Sequence, residues 1–273
     1  DISKGLDRWC YNRSKQTITR MKKLIHFGCS FAMGNGVPMY IKGIESGAYM
    51  HTTQKNRQEF KKKYNMEVQD PISCGSVLAG RLGLQFERVS ANGISNEMIV
   101  RRLPQVNLTK TFVLIGLTSY NRREALTTSQ NKTHWHTWKM VEPNDPPKYK
   151  TLPFNPWGKE YKPAIEEEGQ IRTAMQILYM QSYLKLKKVP YLMFNALYNG
   201  FDNPLTDECK KILGKIDQTH FYKLQGGLSE TQHGWCLKQN LVVSDLDEHP
   251  NMQGQQAWAD QLEPLVKDIW NVD

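Results

Sequence analysis

The sequence predicts an α/β fold: a three-layer α/β/α sandwich around a central, mainly parallel sheet. Short buried strands alternate with amphipathic helices along most of the 273 residues, and such alternation is typical of a parallel sheet with helices on both faces. The clearest strand, TFVLIGL at 111–117, carries apolar residues on both of its faces, as expected when both faces of the sheet are covered. The 39% hydrophobic content is enough for one large core.

Each element follows from its own residues. Strands are expected where a short apolar run is bounded by polar or turn residues, at 24–27, 86–89, 111–117 and 190–196. Helices are expected where apolar residues recur at helical spacing or a capping residue precedes them, at 57–64, 76–82, the segment after Ser95, 166–186, 205–216 and 253–269.

The order of elements predicts one domain at 21–273 that follows an N-terminal extension or arm at 1–20. Met21 opens the first convincing element, so it is either a native start or the end of an ordinary arm. Residues 119–163 hold six of the thirteen prolines and three of the seven tryptophans. We expect an irregular insertion there, since long loops in compact domains are often lids or binding loops.

Composition narrows the function classes. No apolar run reaches the roughly 18 residues of a membrane span, and we see no secretory signal, so we expect a cytoplasmic protein. The five cysteines are odd in number and lack a CxxC pair, which favours a reducing compartment. The net charge of +9 suits anionic partners. The chain lacks the aromatic–basic repeat of a nucleic-acid-binding module, however, so we interpret the charge as a solvated basic surface and do not expect a nucleic-acid partner.

Two segments carry the chemistry. The buried run at 24–27 is followed by Gly28-Cys29-Ser30, a tight turn that would expose a serine beyond a strand end. The carboxyl ends of parallel strands share one edge, where ligands bind. Ser30, Gly93 and Thr118 follow the first three strands and should therefore converge there.

The second segment, DLDEHPNMQG at 245–254, places an acid and a histidine just before the last helix. His249 is the candidate base for Ser30, and either Asp247 or Asp245 would orient its imidazole, with Asp247 preferred. A lone histidine in such a loop is otherwise a surface residue.

Together these pieces resemble the SGNH (GDSL-type) hydrolases. The Gly28-Cys29-Ser30 turn is similar to their first block, and SANGISNEMI, with Gly93, is similar to their second. Gly116-Leu117-Thr118-Ser119 stands at the third block, and DLDEHPNMQG stands at the fifth. The stretch GLTSYNRRE after the third strand looks most like SGNH-like proteins of tailed phages and environmental metagenomes.

The resemblance implies a flavodoxin-like SGNH hydrolase fold and a serine esterase acting on short acyl or carbohydrate O-acetyl esters. Its triad would be Ser30, His249 and Asp247 or Asp245, and its oxyanion hole would be the backbone N–H groups of Ser30 and Gly93 with Thr118. It implies no metal or organic cofactor. The partner would be an ester-bearing small molecule or glycan, and the oligomeric state is open.

Two departures from the family pattern stand out. The third block has Thr118 where the family has an asparagine that donates to the oxyanion, so Asn96 or Asn121 are candidate substitutes. In the fifth block the acids lie two and four residues before His249 instead of three. If both departures reflect loss of the catalytic residues, the chain would be a non-catalytic binding or virion structural module.

Three other groups of residues are weaker candidates for a functional site. His134 and His136, joined by His51 or His233, could ligate a metal, but HWHTW has no acidic partner at helical spacing. Trp135 and neighbouring aromatics in the insertion would form a platform for an acyl group or sugar, or else a local loop core. Cys29 and Cys74 are weaker candidates for a nucleophile than Ser30, because neither has a histidine nearby in sequence.

Overall fold

The computed structural model describes residues 23–34, 72–129, 132–139, 162–245 and 247–270. Its strands are β1 (Lys23–Gly28), β2 (Gln85–Ser90), β3 (Thr111–Leu117), β4 (Arg122–Ser129), β5 (Lys132–Lys139), β6 (Tyr191–Asn195), β7 (Phe221–Tyr222), β8 (Val242–Ser244) and β9 (Asp247–Pro250). Its helices are α1 (Ser30–Met33), α2 (Cys74–Arg81), α3 (Asn96–Arg102), α4 (Lys162–Leu186), α5 (Asp207–Leu213), α6 (Gln232–Lys238) and α7 (Met252–Trp270). Short 3-10 turns lie at Leu103–Gln105, Gln218–His220 and Leu228–Glu230.

The central sheet has five parallel strands in the order β2-β1-β3-β6-β7. Counted along the chain this is 2-1-3-4-5, the order of flavodoxin-like folds. The chain moves to one side of β1 to form β2 and to the other side to form β3, so the strand order reverses between β1 and β3. These two strands are direct neighbours, with Phe27 opposite Ile115. A ligand crevice is expected beyond the carboxyl ends of strands at such a reversal point, so the topology places the site where β1 and β3 end.

Helices cover both faces of the sheet. Helices α2 and α7 pack against each other, α2 also lies against β1 and β2, and α7 lies against β6. Helix α3 packs against β1 and α4, and α4 packs against α5. The buried core runs through the whole sandwich and includes Leu24, Phe27, Phe112, Leu114, Ile177, Phe194, Trp258 and Leu262. The predicted three-layer architecture is therefore confirmed.

Predicted and observed elements agree in type, and their ends differ by a few residues. Helix α4, for example, begins at Lys162 instead of 166. Ser95 stands at the N-cap of α3 but makes no side-chain cap hydrogen bond. Helix α6, strand β7 and the β8–β9 hairpin are additional elements. The arm at 1–20 and the helix expected at 57–64 lie outside the described residues.

The insertion expected at 119–163 is not wholly irregular. Strands β4 and β5 form an antiparallel hairpin, with Arg122 opposite Lys139 and Ser129 opposite Lys132. All six prolines of the segment lie from Pro143 onward, so they leave the hairpin ladder intact. Residues 140–161 are not described.

The structure also bears on membrane-spanning helices and on the state of the cysteines. Across the described ranges, no helix combines the length and the apolar character that crossing a membrane requires. The four cysteines that lie there, Cys29, Cys74, Cys209 and Cys236, are buried free thiols.

Candidate active site

Ser30 is the first residue of α1, immediately beyond the end of β1. Gly28 makes this tight strand-to-helix turn possible, because a Cβ there would lie 2.7 Å from Ala32 Cβ and 3.1 Å from the Gly116 carbonyl oxygen. Cys29, in extended conformation, is the N-cap of the four-residue helix. The first N–H groups of a helix have no partner within it, so the Ser30 N–H is available at the strand end.

His249 contacts Ser30 through one ring nitrogen and Asp247 through the other. Its Nε2 lies 2.8 Å from Ser30 Oγ, and its Nδ1 lies 2.5 Å from Asp247 Oδ1. An ionised carboxylate can only accept hydrogen bonds, so Nδ1 carries the imidazole proton and donates it to Asp247. Nε2 is then the acceptor for the Ser30 hydroxyl. Residues from the two ends of the sequence thus form one continuous hydrogen-bonded chain.

The β8–β9 hairpin decides which acid contacts the imidazole. Successive side chains of a strand point to opposite faces, so Asp247 and His249 share a face of β9. Asp247 also accepts a hydrogen bond from the His249 backbone N–H at 3.1 Å and is only 5% exposed. Asp245, the alternative acid in the sequence prediction, is exposed. Asp247 therefore fits the orienting position and Asp245 does not.

Phe31 and Gln255 support the serine turn. The Phe31 ring lies 5.1 Å from the His249 ring, centroid to centroid, and so limits imidazole movement. Gln255 is fully buried on α7. Its Nε2 donates to the Phe31 carbonyl oxygen, and its Oε1 accepts from the Cys74 backbone N–H and from Gln232. One side chain thus joins α1 to α2, α6 and α7.

The residues predicted for the oxyanion hole differ in their accessibility. Gly93 is exposed in the turn after β2 and has φ of +69°, a conformation that favours glycine. Thr118, in contrast, is fully buried. Its N–H donates to Asn96 Oδ1, its carbonyl oxygen accepts from Asn96 Nδ2, and its hydroxyl accepts from Arg122.

These contacts correct two predictions. Asn96 is 2% exposed and clamps the Thr118 backbone, so it braces the end of β3 and is not a substrate-contacting group. Thr118 has no surface to offer a substrate and does not directly replace the family's asparagine. Asn121 is partly buried, and its Oδ1 has no hydrogen-bond partner within the described part of the chain. Trp135 pairs with Leu126 in the β4–β5 ladder, and its side chain lies outside the description.

The rival metal and cysteine sites find no support in the described ranges. No group of three His, Cys, Asp or Glu residues that could hold a metal is found there. His134 and His136 lie on β5 with side chains that are not described, and His51 is in an undescribed segment. Burial raises the pKa of the Cys74 thiol well above its usual range, which disfavours the thiolate that a cysteine nucleophile needs. Cys29 is buried beside Ser30.

Sequence reasoning missed two residues that shape this site, Gln255 and Arg122. Gln255 lies at helical spacing from Trp258, Ala259 and Leu262, all buried. A glutamine on an otherwise apolar face was the signal for a buried polar network. Arg122 carries no comparable signal in the sequence, because its contact with Thr118 depends on a turn that the sequence pattern does not specify.

Comparisons with known proteins add a likeness of fold. Neither the protein-family models nor the curated proteins contain a match to this sequence. Among solved structures, a carbohydrate esterase matches at 13% identity and a TM-score of 0.42, covering 92% of this chain and 70% of that one. A GDSL-like lipase from Bacteroides thetaiotaomicron matches at 12% identity and a TM-score of 0.33, covering 92% and 88%. An acetyl xylan esterase from the rumen bacterium Butyrivibrio proteoclasticus matches at 12% identity and a TM-score of 0.41, covering 91% and 64%.

The names of these structures carry no information on a phage or metagenome origin. At such identities and TM-scores they carry no argument about what this chain does. The function of this chain therefore has to be argued from its own side chains.

Proposed function

We propose that this chain is a serine esterase that hydrolyses carboxylic esters through an acyl-enzyme. The observation that carries the proposal is the hydrogen-bonded chain from Ser30 Oγ through His249 to Asp247. A serine hydroxyl is a weak nucleophile until a base removes its proton, and an acid behind the histidine holds the required tautomer. The three side chains have the contacts and the order that this chemistry needs.

In the proposed first step, Ser30 Oγ attacks the ester carbonyl carbon and its proton passes to His249 Nε2. The π electron pair of the carbonyl bond moves onto the carbonyl oxygen, which becomes an oxyanion. Asp247 stabilises the imidazolium that forms. The Ser30 N–H at the start of α1 and the N–H of Gly93 are the proposed backbone donors to the oxyanion.

Collapse of this intermediate breaks the bond to the alcohol oxygen, which takes the proton from His249. Water, deprotonated by the same nitrogen, then attacks the acyl carbon. Collapse of this second intermediate breaks its bond to Ser30 Oγ, which takes the proton back from His249, and the acid is released. The three side chains and water supply every proton transfer and every bond that these steps require. Short acyl esters, carbohydrate O-acetyl esters among them, are the proposed substrates.

Hydrolysis of p-nitrophenyl acetate and p-nitrophenyl butyrate tests the proposal. The wild-type protein should turn over both, and Ser30→Ala should lose essentially all activity. Ser229→Ala, which removes an exposed hydroxyl from a 3-10 turn, is the matched control and should behave as wild type. The ratio of the two rates reports the acyl length that the site accepts.

The opposite result would be a folded wild-type protein that releases no more nitrophenolate than Ser30→Ala. With acetylated xylan also left intact, that result would refute the esterase proposal and favour a binding module.

A further inference from the structure

Arg122 lies next to the candidate site, although it belongs to the hairpin insertion. After β3 ends, residues 119–122 form a turn closed by a hydrogen bond from the Arg122 N–H to the Ser119 carbonyl oxygen at 3.2 Å. This turn returns the Arg122 side chain to the strand end, where Nη1 donates to Thr118 Oγ1 at 2.8 Å. The turn is held in place by Tyr120, which packs closely against Gly169 of α4.

The guanidinium also contacts the loop that follows β2. Its Nη1 lies 3.4 Å from the carbonyl oxygen of Ile94, the residue after Gly93 in the loop that follows β2. Asn96, two residues after Ile94, contacts Thr118, so the loop after β2 meets the end of β3 here. Because β1 lies between β2 and β3 in the sheet, this meeting point lies beside the carboxyl end of β1. Ser30 begins at that end.

Three arginines near the base of the hairpin are paired with carboxylates, whereas Arg122 is not. Arg101 on α3 pairs with Glu124 of the hairpin, and Arg123 of the hairpin pairs with Glu168 on α4. Arg172 on α4 pairs with Glu97 on α3 and with Glu168. Arg122 has no carboxylate partner within the described parts of the chain. Its positive charge is therefore available to a negative charge that develops in the site.

The two halves of the site come from opposite layers. Strand β9, which carries His249, packs against α6 and α7. Strand β4, which begins with Arg122, packs against α3. The base thus approaches the end of β1 from one layer and the cation approaches it from the other.

We propose that Arg122 supplies the positive charge that stabilises the oxyanion formed when Ser30 attacks an ester. The inference rests on the proposed esterase function and deepens it. The negative charge appears only as the Ser30 Oγ–carbon bond forms, so a fixed cation beside it lowers the barrier without strengthening ground-state binding. The Arg122 guanidinium at the end of β3 stabilises the oxyanion in place of a neutral side-chain donor.

Three substitutions, measured as kcat and KM for p-nitrophenyl acetate, test the inference. Arg122→Gln keeps hydrogen-bonding capacity but removes the charge, and it should lower kcat about 100-fold with little change in KM. Arg122→Lys keeps the charge and should lie within about 10-fold of wild type. Arg123→Gln changes the adjacent, carboxylate-paired arginine and should leave kcat unchanged.

The Lys variant separates charge from scaffold. Equal losses in Arg122→Lys and Arg122→Gln, in protein that melts at the wild-type temperature, would make Arg122 a structural bridge and overturn the inference. Wild-type kcat in Arg122→Gln would overturn it as well. If Arg122→Gln does not fold, the Lys variant alone decides, since a 100-fold loss in the folded Lys protein contradicts the charge role. An inactive wild-type enzyme, by contrast, would refute the esterase proposal itself and this inference with it.

Discussion

The two sides of Ser30 are built by different means. On the β9 side, His249 and Asp247 lie two residues apart on one short strand, and direct side-chain hydrogen bonds link Asp247, His249 and Ser30. On the β3 side, Thr118 is buried, Asn96 clamps its backbone, and a cation from the hairpin contacts its hydroxyl. The first side is local in sequence, whereas the second depends on three separate segments meeting.

This difference indicates which half of the site tolerates change. A base must lie within hydrogen-bond reach of its nucleophile and in the correct tautomer, so the β9 side has few alternatives. Stabilisation of an oxyanion needs only a donor or positive charge aimed at one place, so a backbone N–H group or a charged side chain can provide it. We therefore expect larger losses from substitutions on the β9 side.

The largest expected effect comes from Asp247→Asn. An amide in place of the carboxylate favours the wrong tautomer of His249, so kcat for p-nitrophenyl acetate should fall about 10⁴-fold while the fold is kept. Asp245→Asn, two residues earlier and exposed, is the matched control and should retain wild-type kcat. Similar losses in both variants would mean that the hairpin does not fix the identity of the acid.

An intermediate effect is expected from Gln255→Leu beneath the serine turn. The change leaves the Phe31 carbonyl oxygen, the Cys74 N–H and the Gln232 amide without their partner. The free energy of unfolding in urea should fall by about 2 to 3 kcal/mol. Because the turn that carries Ser30 loses its brace, kcat should also fall about 10-fold with KM nearly unchanged.

Gln256→Leu makes the same chemical change at the adjacent, exposed position of α7, and it should alter neither quantity appreciably. If Gln255→Leu lowers stability but leaves kcat untouched, Gln255 holds the layers together without positioning the serine.

The smallest effect at neutral pH concerns His26, which contrasts with the doubly partnered His249. His26 is fully buried in β1, and neither ring nitrogen has a hydrogen-bond partner within the described residues. Burial, with a smaller contribution from Arg88, lowers its pKa from 6.5 to about 3. The folded protein therefore stays unprotonated at His26 over a pH range in which the unfolded chain binds a proton.

Stability from His26 is complete above pH 6.5 and is lost as the pH falls toward 3, by up to about 1.4 kcal/mol per pH unit. His26→Leu removes this titration, so its unfolding free energy should decline less steeply than that of the wild type between pH 6 and 4. Urea unfolding of both proteins at several pH values measures the difference. Parallel pH profiles would show that His26 does not contribute to acid sensitivity.

The architecture and the β9 side could be predicted because their signals are local. Apolar runs define the strands, and Gly28 and Ser30 follow the first of them directly. His249 and its acids lie within five residues of one another. The choice between Asp245 and Asp247 needed the alternation of a short strand that the loop-like composition did not indicate.

The β3 side could not be predicted in the same way. The approach of Asn96 to Thr118 depends on the packing of α3 against β1 and β4, and the return of Arg122 depends on the turn at 119–122. The hairpin was missed because prolines after position 142 dominated the composition of the whole segment. Residues 122–139 lack proline and are rich in threonine and aromatic residues, which favours strands.

Reaction with diethyl p-nitrophenyl phosphate, followed by peptide mass spectrometry, tests the central claim most directly. This reagent phosphorylates a serine that a neighbouring base activates, and it requires no knowledge of the natural ester. The account predicts one adduct per chain, located on Ser30 and absent from His249→Ala. An unmodified Ser30 in the folded wild-type protein, or equal labelling in His249→Ala, would contradict it.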